Sequence, residues 1–288
     1  MGCRMVEQVE IFEVGPRDGL QNESRMIATA RKVELIDMLS RAGFRRIEVA
    51  SFVSPKWVPQ MADGAEVLAN IERVPGVSYG ALAPNMRGFE RALAAGADEI
   101  AIFGSASEGF SRANINCSIS ESLNRFEPVA KAARDAGLKV RGYVSCVTDC
   151  PFDGPTPPEN VAAVATALHD MGCYEISLGD TIGQGTPGTI AAMLEAVLAR
   201  ISADRLAGHY HDTVGHALQN IEVSLDLGLR VFDAAVGGLG GCPYAPGAAG
   251  NVATETVYEW LAEKGYQTGL DAGILRRAAA LAQRMREA

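Results

Sequence analysis

The sequence predicts an α/β fold, a (β/α)₈ TIM barrel, and three observations carry the prediction. Eight short β-rich runs follow one another along the 288 residues, segments of helical periodicity lie between them, and most of those segments end on a glycine shortly before the next run. A chain of this length buries a sizeable core and sits near the usual size of a one-domain α/β barrel. Strands that read as nearly continuous apolar runs, alternating with helices, imply a parallel sheet covered on both faces. The alternative, an open doubly wound sheet, would carry a GxGxxG after its first strand, and none follows here.

Taken in order, the first run is "VEIFEV". It leads to "RKVELIDMLSRAG", where Val33, Leu35, Ile36 and Leu39 recur at helical spacing among charged residues and Gly43 stands at the end. The second and third runs are "RIEVASF" and "SYGALAP". Gly96 precedes the fourth, "EIAIFGS", Gly137 the fifth, "KVRGYVSCV", and Gly172 the sixth, "YEISLGDT". The seventh is "LAGHYHD", and Gly228 precedes the eighth, "VFDAAVGG". Each of these glycines is expected just past a helix end, in the left-handed conformation that turns the chain toward its next strand. No proline-rich linker or charge block divides the chain. Residues 1–288 are therefore expected to form a single catalytic barrel domain, with a glycine-rich active-site loop at residues 237–250.

A formal net charge of -9 disfavours phosphate backbones and anionic lipid surfaces, so neither nucleic acid nor a membrane is expected as a partner. No apolar stretch approaches the roughly 20 residues of a spanning helix. "MGCRMVEQVE" lacks the apolar core of a signal peptide, and a cytoplasmic protein is expected. The six cysteines (Cys3, Cys117, Cys146, Cys150, Cys173, Cys242) are irregularly spaced without a CxxC pair, which suggests neither a disulfide framework nor a thiolate zinc site.

In a barrel the active site lies at the C-terminal ends of the strands. The first run ends in Arg17 and Asp18, the second carries Glu48, the sixth ends in Asp180, the seventh holds "HYHD", and the eighth runs into "GGLGGCPYAPGAAGN". His209 and His211, two apart on a strand, point to one face, with Tyr210 on the other. Two hydrogen-bonded histidines in a polar barrel top would satisfy that pattern. Two same-facing imidazoles near a carboxylate also match a metal site, and Asp18 completes three ligands. An oxygen and nitrogen set without thiolate suits a hard or borderline divalent ion such as Mg²⁺ or Mn²⁺, and zinc is compatible with it. Arg17 and Asp18 read alternatively as a capping or surface ion pair of little worth, against which their strand-end placement argues.

Residues 237–250 contain six glycines, two prolines and Cys242, a composition suited to a lid. Cys242 is either an inert small residue or a thiol whose pKa falls from roughly 8.5 near a cation, which would suit it to proton transfer. Cys117, Cys146, Cys150 and Cys173 are read as structural.

The strings "EVGPRDGLQNE", "SFVSPKWVPQM", "NINCSI", "RGYVSC", "GCYEISLGDTIG" and "GLGGCPYAPGAAGN" closely resemble the 3-hydroxy-3-methylglutaryl-CoA (HMG-CoA) lyase family, from about residue 9 to about residue 270. The resemblance implies a barrel that cleaves an acyl-CoA thioester into acetyl-CoA and acetoacetate with a divalent metal, as in leucine catabolism and ketone body metabolism. It places the metal ligands on Asp18, His209 and His211, and Asn251 matches a further metal-site position. Arg17, Glu48 and Cys242 match other catalytic positions, and Asp18 and His209 count among the catalytic residues too. It implies that Arg17 faces the thioester carbonyl whose oxygen becomes an enolate. The chain departs from the family at Ser24, where lysine is frequent, and at Val214 and His216, where tyrosine and glutamine are common. It ends at "AQRMREA" without a tail cysteine, so redox control through one is not expected. A homo-oligomer, dimeric or higher, is compatible with the sequence.

Four other readings compete. A related lyase would act on a longer 3-hydroxy-3-alkylglutaryl-CoA. A condensing enzyme of the same metal-dependent barrel superfamily would carry a C-terminal region for which this length leaves no room. A barrel hydrolase would more usually place His-x-His on its first strand. A non-catalytic acyl-CoA-binding protein should have lost the ligands or the loop cysteine.

Overall fold

The structure, a computed structural model, describes residues 7–240 and 250–287. Eight parallel strands close into a barrel in chain order: β1 (Glu10–Glu13), β2 (Arg46–Ser51), β3 (Ser78–Leu82), β4 (Glu99–Ser105), β5 (Lys139–Ser145), β6 (Glu175–Asp180), β7 (Leu206–Tyr210) and β8 (Val231–Ala234). The ring is sealed where β1 runs beside β8, from Glu10 opposite Val231 to Glu13 opposite Ala234. The helices around it are α1 (Thr29–Ser40), α2 (Gly64–Asn70), α3 (Met86–Ala94), α4 (Glu108–Ile115), α5 (Ile119–Asp135), α6 (Pro158–Asp170), α7 (Pro187–Leu198), α8 (Ala217–Asp226), α9 (Thr254–Glu263) and α10 (Ala272–Glu287). This is the expected (β/α)₈ barrel, and each of the eight runs supplies one strand.

Local chemistry sets the element ends. Ser118 and Glu121 form a reciprocal capping box at the start of α5, and Thr186 with Thr189 does the same for α7, with Pro187 in the first helical turn. The five glycines expected to follow helices all have positive φ, between 77° and 99°. At Gly43 glycine is required twice over, because a Cβ there would lie 2.5 Å from the carbonyl oxygen of Gly269. One element has no counterpart in the sequence reading: Asp149–Cys150 pairs antiparallel with Gly154–Pro155 after β5, in segments too short to show a period.

The strands are less uniformly apolar than their runs suggest. Val140 and Val144 of β5 and Ile176 and Leu178 of β6 join the apolar core, whereas Arg141 of β5 meets Glu175 of β6 and Asp233 of β8 inside the ring. Arg46 of β2 adds ion pairs to Glu10 at 2.7 Å and Glu175 at 2.9 Å. The Phe12 ring lies under both guanidiniums, 4.8 Å from Arg46 and 4.1 Å from Arg141. Taking such charges out of water costs about as much as their attraction returns, so this network fixes geometry more than it adds stability. It forms a rigid charged floor beneath the barrel mouth.

Candidate active site and metal centre

The chain leaves β1 through a tight π-helical turn, Gly15–Gly19, in which the amides of Arg17, Asp18 and Gly19 all converge on the carbonyl of Val14. A Cβ on Gly15 would lie 2.6 Å from Glu13 Oε1, and one on Gly19 the same distance from Leu239 Cβ, so only glycine allows the turn to press against residues 236–240. Glu13 staples the parts together. Its carboxylate accepts hydrogen bonds from the amides of Gly15 (2.8 Å) and Val236 (3.0 Å) and from the Thr254 hydroxyl (2.7 Å).

Burial pushes the Glu13 carboxyl up to about 8, against those three hydrogen bonds. Its proton is held more tightly in the folded chain than at the ordinary value of 4.5, so its stabilising contribution is complete below that pH and fades as pH rises to about 8. Across that window the melting temperature of wild type is expected to fall relative to that of Glu13→Gln, whose amide does not titrate. Parallel melting curves for the two proteins would contradict this assignment.

Arg17 points into the barrel mouth. Its Nε donates to Glu48 Oε2 at 2.5 Å and its Nη1 to Asp18 Oδ1 at 2.6 Å, while the guanidinium sits 5.5 Å from the centre of the Tyr143 ring. Tyr143 donates its hydroxyl to the same Glu48 oxygen at 3.2 Å. Burial raises the Glu48 carboxyl, with Arg17 opposing. Burial pushes Asp18 the same way, but Arg17, both histidines and the Asn251 amide outweigh it and bring Asp18 down to about 2. Asp18 is thus an anion at neutral pH.

His209 and His211 share the inner face as expected, with ring centres 5.4 Å apart, and Tyr210 points outward to the Ser224 hydroxyl at 2.7 Å. Burial, then the neighbouring His209, lower His211 to about 4, which leaves its imidazole neutral. Burial also lowers His209, but the hydrogen bond to Asp233 overrides it and the net shift is upward. The histidine reading that needs no metal is met for one ring only. His209 Nδ1 bonds Asp233 Oδ2 at 3.1 Å, whereas His211 Nδ1 is buried without a hydrogen-bond partner among the described residues.

Asp18, His209 and His211 each bring a ligand atom within 4.8 Å of the others. Asn251 closes the group: its amide donates to Asp18 Oδ2 at 2.8 Å, and its backbone bridges to His211. Two neutral-capable imidazoles, an anionic carboxylate and an orphaned ring nitrogen fit a divalent cation. Arg17 and Glu48 lie alongside. Cys242, with residues 241–249 of the glycine-rich segment, lies outside the described residues.

Asp180 does not join this group. Strand alternation turns Ser177 and Gly179 inward and Asp180 outward, where it accepts from Thr148 Oγ1 (3.1 Å) and the Gly185 amide (2.9 Å) and braces the loop after β6. Conversely, the strand-end rule overlooks Tyr143 and Asp233, which sit within strands. The signal for Asp233 is a lone acid in "VFDAAV" matching Arg141, the base inside the apolar run "VRGYV", since buried strands carry such charges almost only in pairs.

Known proteins resemble this chain over most of its length. The family model described as HMGL-like matches residues 8–282. The chain is 58% identical to bovine mitochondrial hydroxymethylglutaryl-CoA lyase over 95% of its own length and 84% of the bovine chain. It is equally identical, over 92% of its length and 88% of the relative, to a Pseudomonas aeruginosa 3-hydroxy-3-isohexenylglutaryl-CoA/hydroxy-methylglutaryl-CoA lyase. The crystal structure of the HMG-CoA lyase from Brucella melitensis superposes with a TM-score of 0.97 at 62% identity, covering 98% of this chain and 100% of that one.

Proposed function

This chain belongs to the HMGL-like family and is an enzyme of the hydroxymethylglutaryl-CoA lyase type, and from that premise we propose that it cleaves HMG-CoA into acetyl-CoA and acetoacetate in a divalent-metal-dependent retro-Claisen reaction. The observation that carries the metal-dependent part is the convergence of Asp18, His209 and His211 within 4.8 Å, beside a guanidinium fixed by Glu48. Mg²⁺ or Mn²⁺ would be held by those three residues and Asn251. When bound, such an ion supplies a Lewis acid that lowers the pKa of the substrate's tertiary hydroxyl and orients it.

The hydroxyl passes its proton to a basic side chain of the site, the carbon–carbon bond beside it breaks, and the hydroxyl-bearing carbon becomes the ketone of acetoacetate. The electron pair passes to the acetyl-CoA fragment as an enolate, which then takes up a proton. Arg17 is placed for the enolate oxygen. Glu48 on its Nε and Asp18 on its Nη1 lock the plane of the fork, so the charge meets the developing oxyanion without reorganising. Proton transfer at the enolate carbon is assigned to Cys242 on the strength of the motif "GLGGCPYAPGAAGN". A single domain over residues 1–288, a cytoplasmic location and a homo-oligomer belong to the same proposal.

The test is acetoacetate release by purified protein from HMG-CoA and from its 3-isohexenyl analogue, each with Mg²⁺ and with chelator. Release from the methyl substrate that depends on the ion supports the reading. Preference for the longer chain transfers it to the related lyase reaction, and no release from either overturns it.

A further inference from the structure

We propose that Asp233 is a positioning residue, which fixes the tautomer and orientation of His209 so that Nε2 offers its lone pair toward Asp18, and that Arg141 holds Asp233 in that task. The proposal deepens the metal-dependent reading above and rests on it.

Asp233 is fully enclosed in β8, and four bonds reach its carboxylate. Arg141 donates Nη2 to Oδ1 at 2.7 Å and Nη1 to Oδ2 at 3.0 Å, Ser177 donates its hydroxyl to Oδ2 at 2.7 Å, and His209 Nδ1 lies 3.1 Å from Oδ2. Arginine only donates, and a carboxylate gripped by a buried guanidinium is ionised and only accepts. The remaining contact therefore forces a proton onto His209 Nδ1. In the neutral ring Nε2 then keeps the lone pair, and it is Nε2 that stands 4.0 Å from Asp18 Oδ2. Among the described residues His211 has no such partner, its Nδ1 being buried and unbonded, whereas His209 is oriented by Asp233.

Arg141 is itself immobilised. Glu175 takes its Nε at 2.7 Å, and the guanidinium lies 4.1 Å from the centre of the Phe12 ring and 4.9 Å from that of Tyr143. A forked donor anchored on its third nitrogen holds a carboxylate at fixed distance and tilt, which a lysine ammonium would not. The barrel's charged floor thus ends in an imidazole that would help hold the ion. Carboxylates behind ligating histidines typically contribute about 10- to 100-fold in metal affinity.

The experiment is a Mn²⁺ titration without substrate, read by electron paramagnetic resonance of the free ion. It uses wild type, Asp233→Asn, and the double variant Arg141→Met/Asp233→Leu, in which apolar neighbours replace the ion pair and keep the barrel folded. Both variants are expected to bind Mn²⁺ about 10- to 100-fold more weakly at unchanged circular dichroism. Wild-type affinity in both would overturn the proposal. Nitrogen-15 spectra of the metal-free histidines judge Asp233 independently of the metal: His209 should carry its proton on Nδ1 in wild type and lose that preference in both variants, and identical spectra would overturn the positioning role. Wild type that binds no Mn²⁺ would instead sink the metal reading.

Discussion

Arg17→Lys is expected to fold, to keep its metal, and to lose about 10²-fold or more in kcat, the usual consequence of removing one preorganised oxyanion donor. Charge is conserved in this change, so the ion-pair environment that keeps Asp18 anionic survives. Geometry is not. Arg17 uses Nε for Glu48 and Nη1 for Asp18 at the same time, and that double anchorage presents the rest of the fork to the substrate. A lysine ammonium is a single point on a flexible stem and must choose between the two carboxylates. With Tyr143 already donating to Glu48, the lysine has no fixed seat from which to meet an enolate oxygen. Turnover within a factor of a few of wild type would show that Arg17 stabilises the site and not the reaction.

Cys242→Ser should lower turnover by roughly 10²- to 10⁴-fold, the usual worth of a positioned acid or base, because a serine hydroxyl is far less acidic than a thiol. The matched control is Cys173→Ser. Cys173 is buried in the apolar core, and that burial pushes its thiol up to about 12, which makes it inert toward proton transfer at neutral pH. A thiol-selective alkylating reagent should inactivate wild type and Cys173→Ser but leave the residual activity of Cys242→Ser unaffected. Equal turnover in the two variants would return Cys242 to the status of a small inert residue.

The barrel was legible because it is repetitive. Each strand run, each helical period and each glycine past a helix end states the same unit again, and errors at one repeat do not spread to the others. The candidate metal site was legible for a different reason: His209 and His211 sit two apart on one strand, so strand periodicity alone places both rings on the inner face. Glu48 stands out by its place on the second strand, whereas Asn251 is indicated by resemblance and has no local signal of its own. Asn251 reaches Asp18 across 233 positions of sequence, a contact that no periodicity encodes. Asp180 lies outside the site because a strand end alone is not sufficient: the phase of alternation decides which side a terminal residue takes. Asp233 and Arg141 were hidden in apolar-looking runs, since a barrel interior buries charges in pairs drawn from different strands.

The central claim is that Asp18, His209 and His211 hold a divalent ion, and anomalous scattering from manganese-soaked crystals of wild type and His211→Ala tests it most directly. The account predicts a manganese peak between the three side chains in wild type and its loss in His211→Ala. A wild-type site with no peak, or an undiminished peak in the variant, would contradict it.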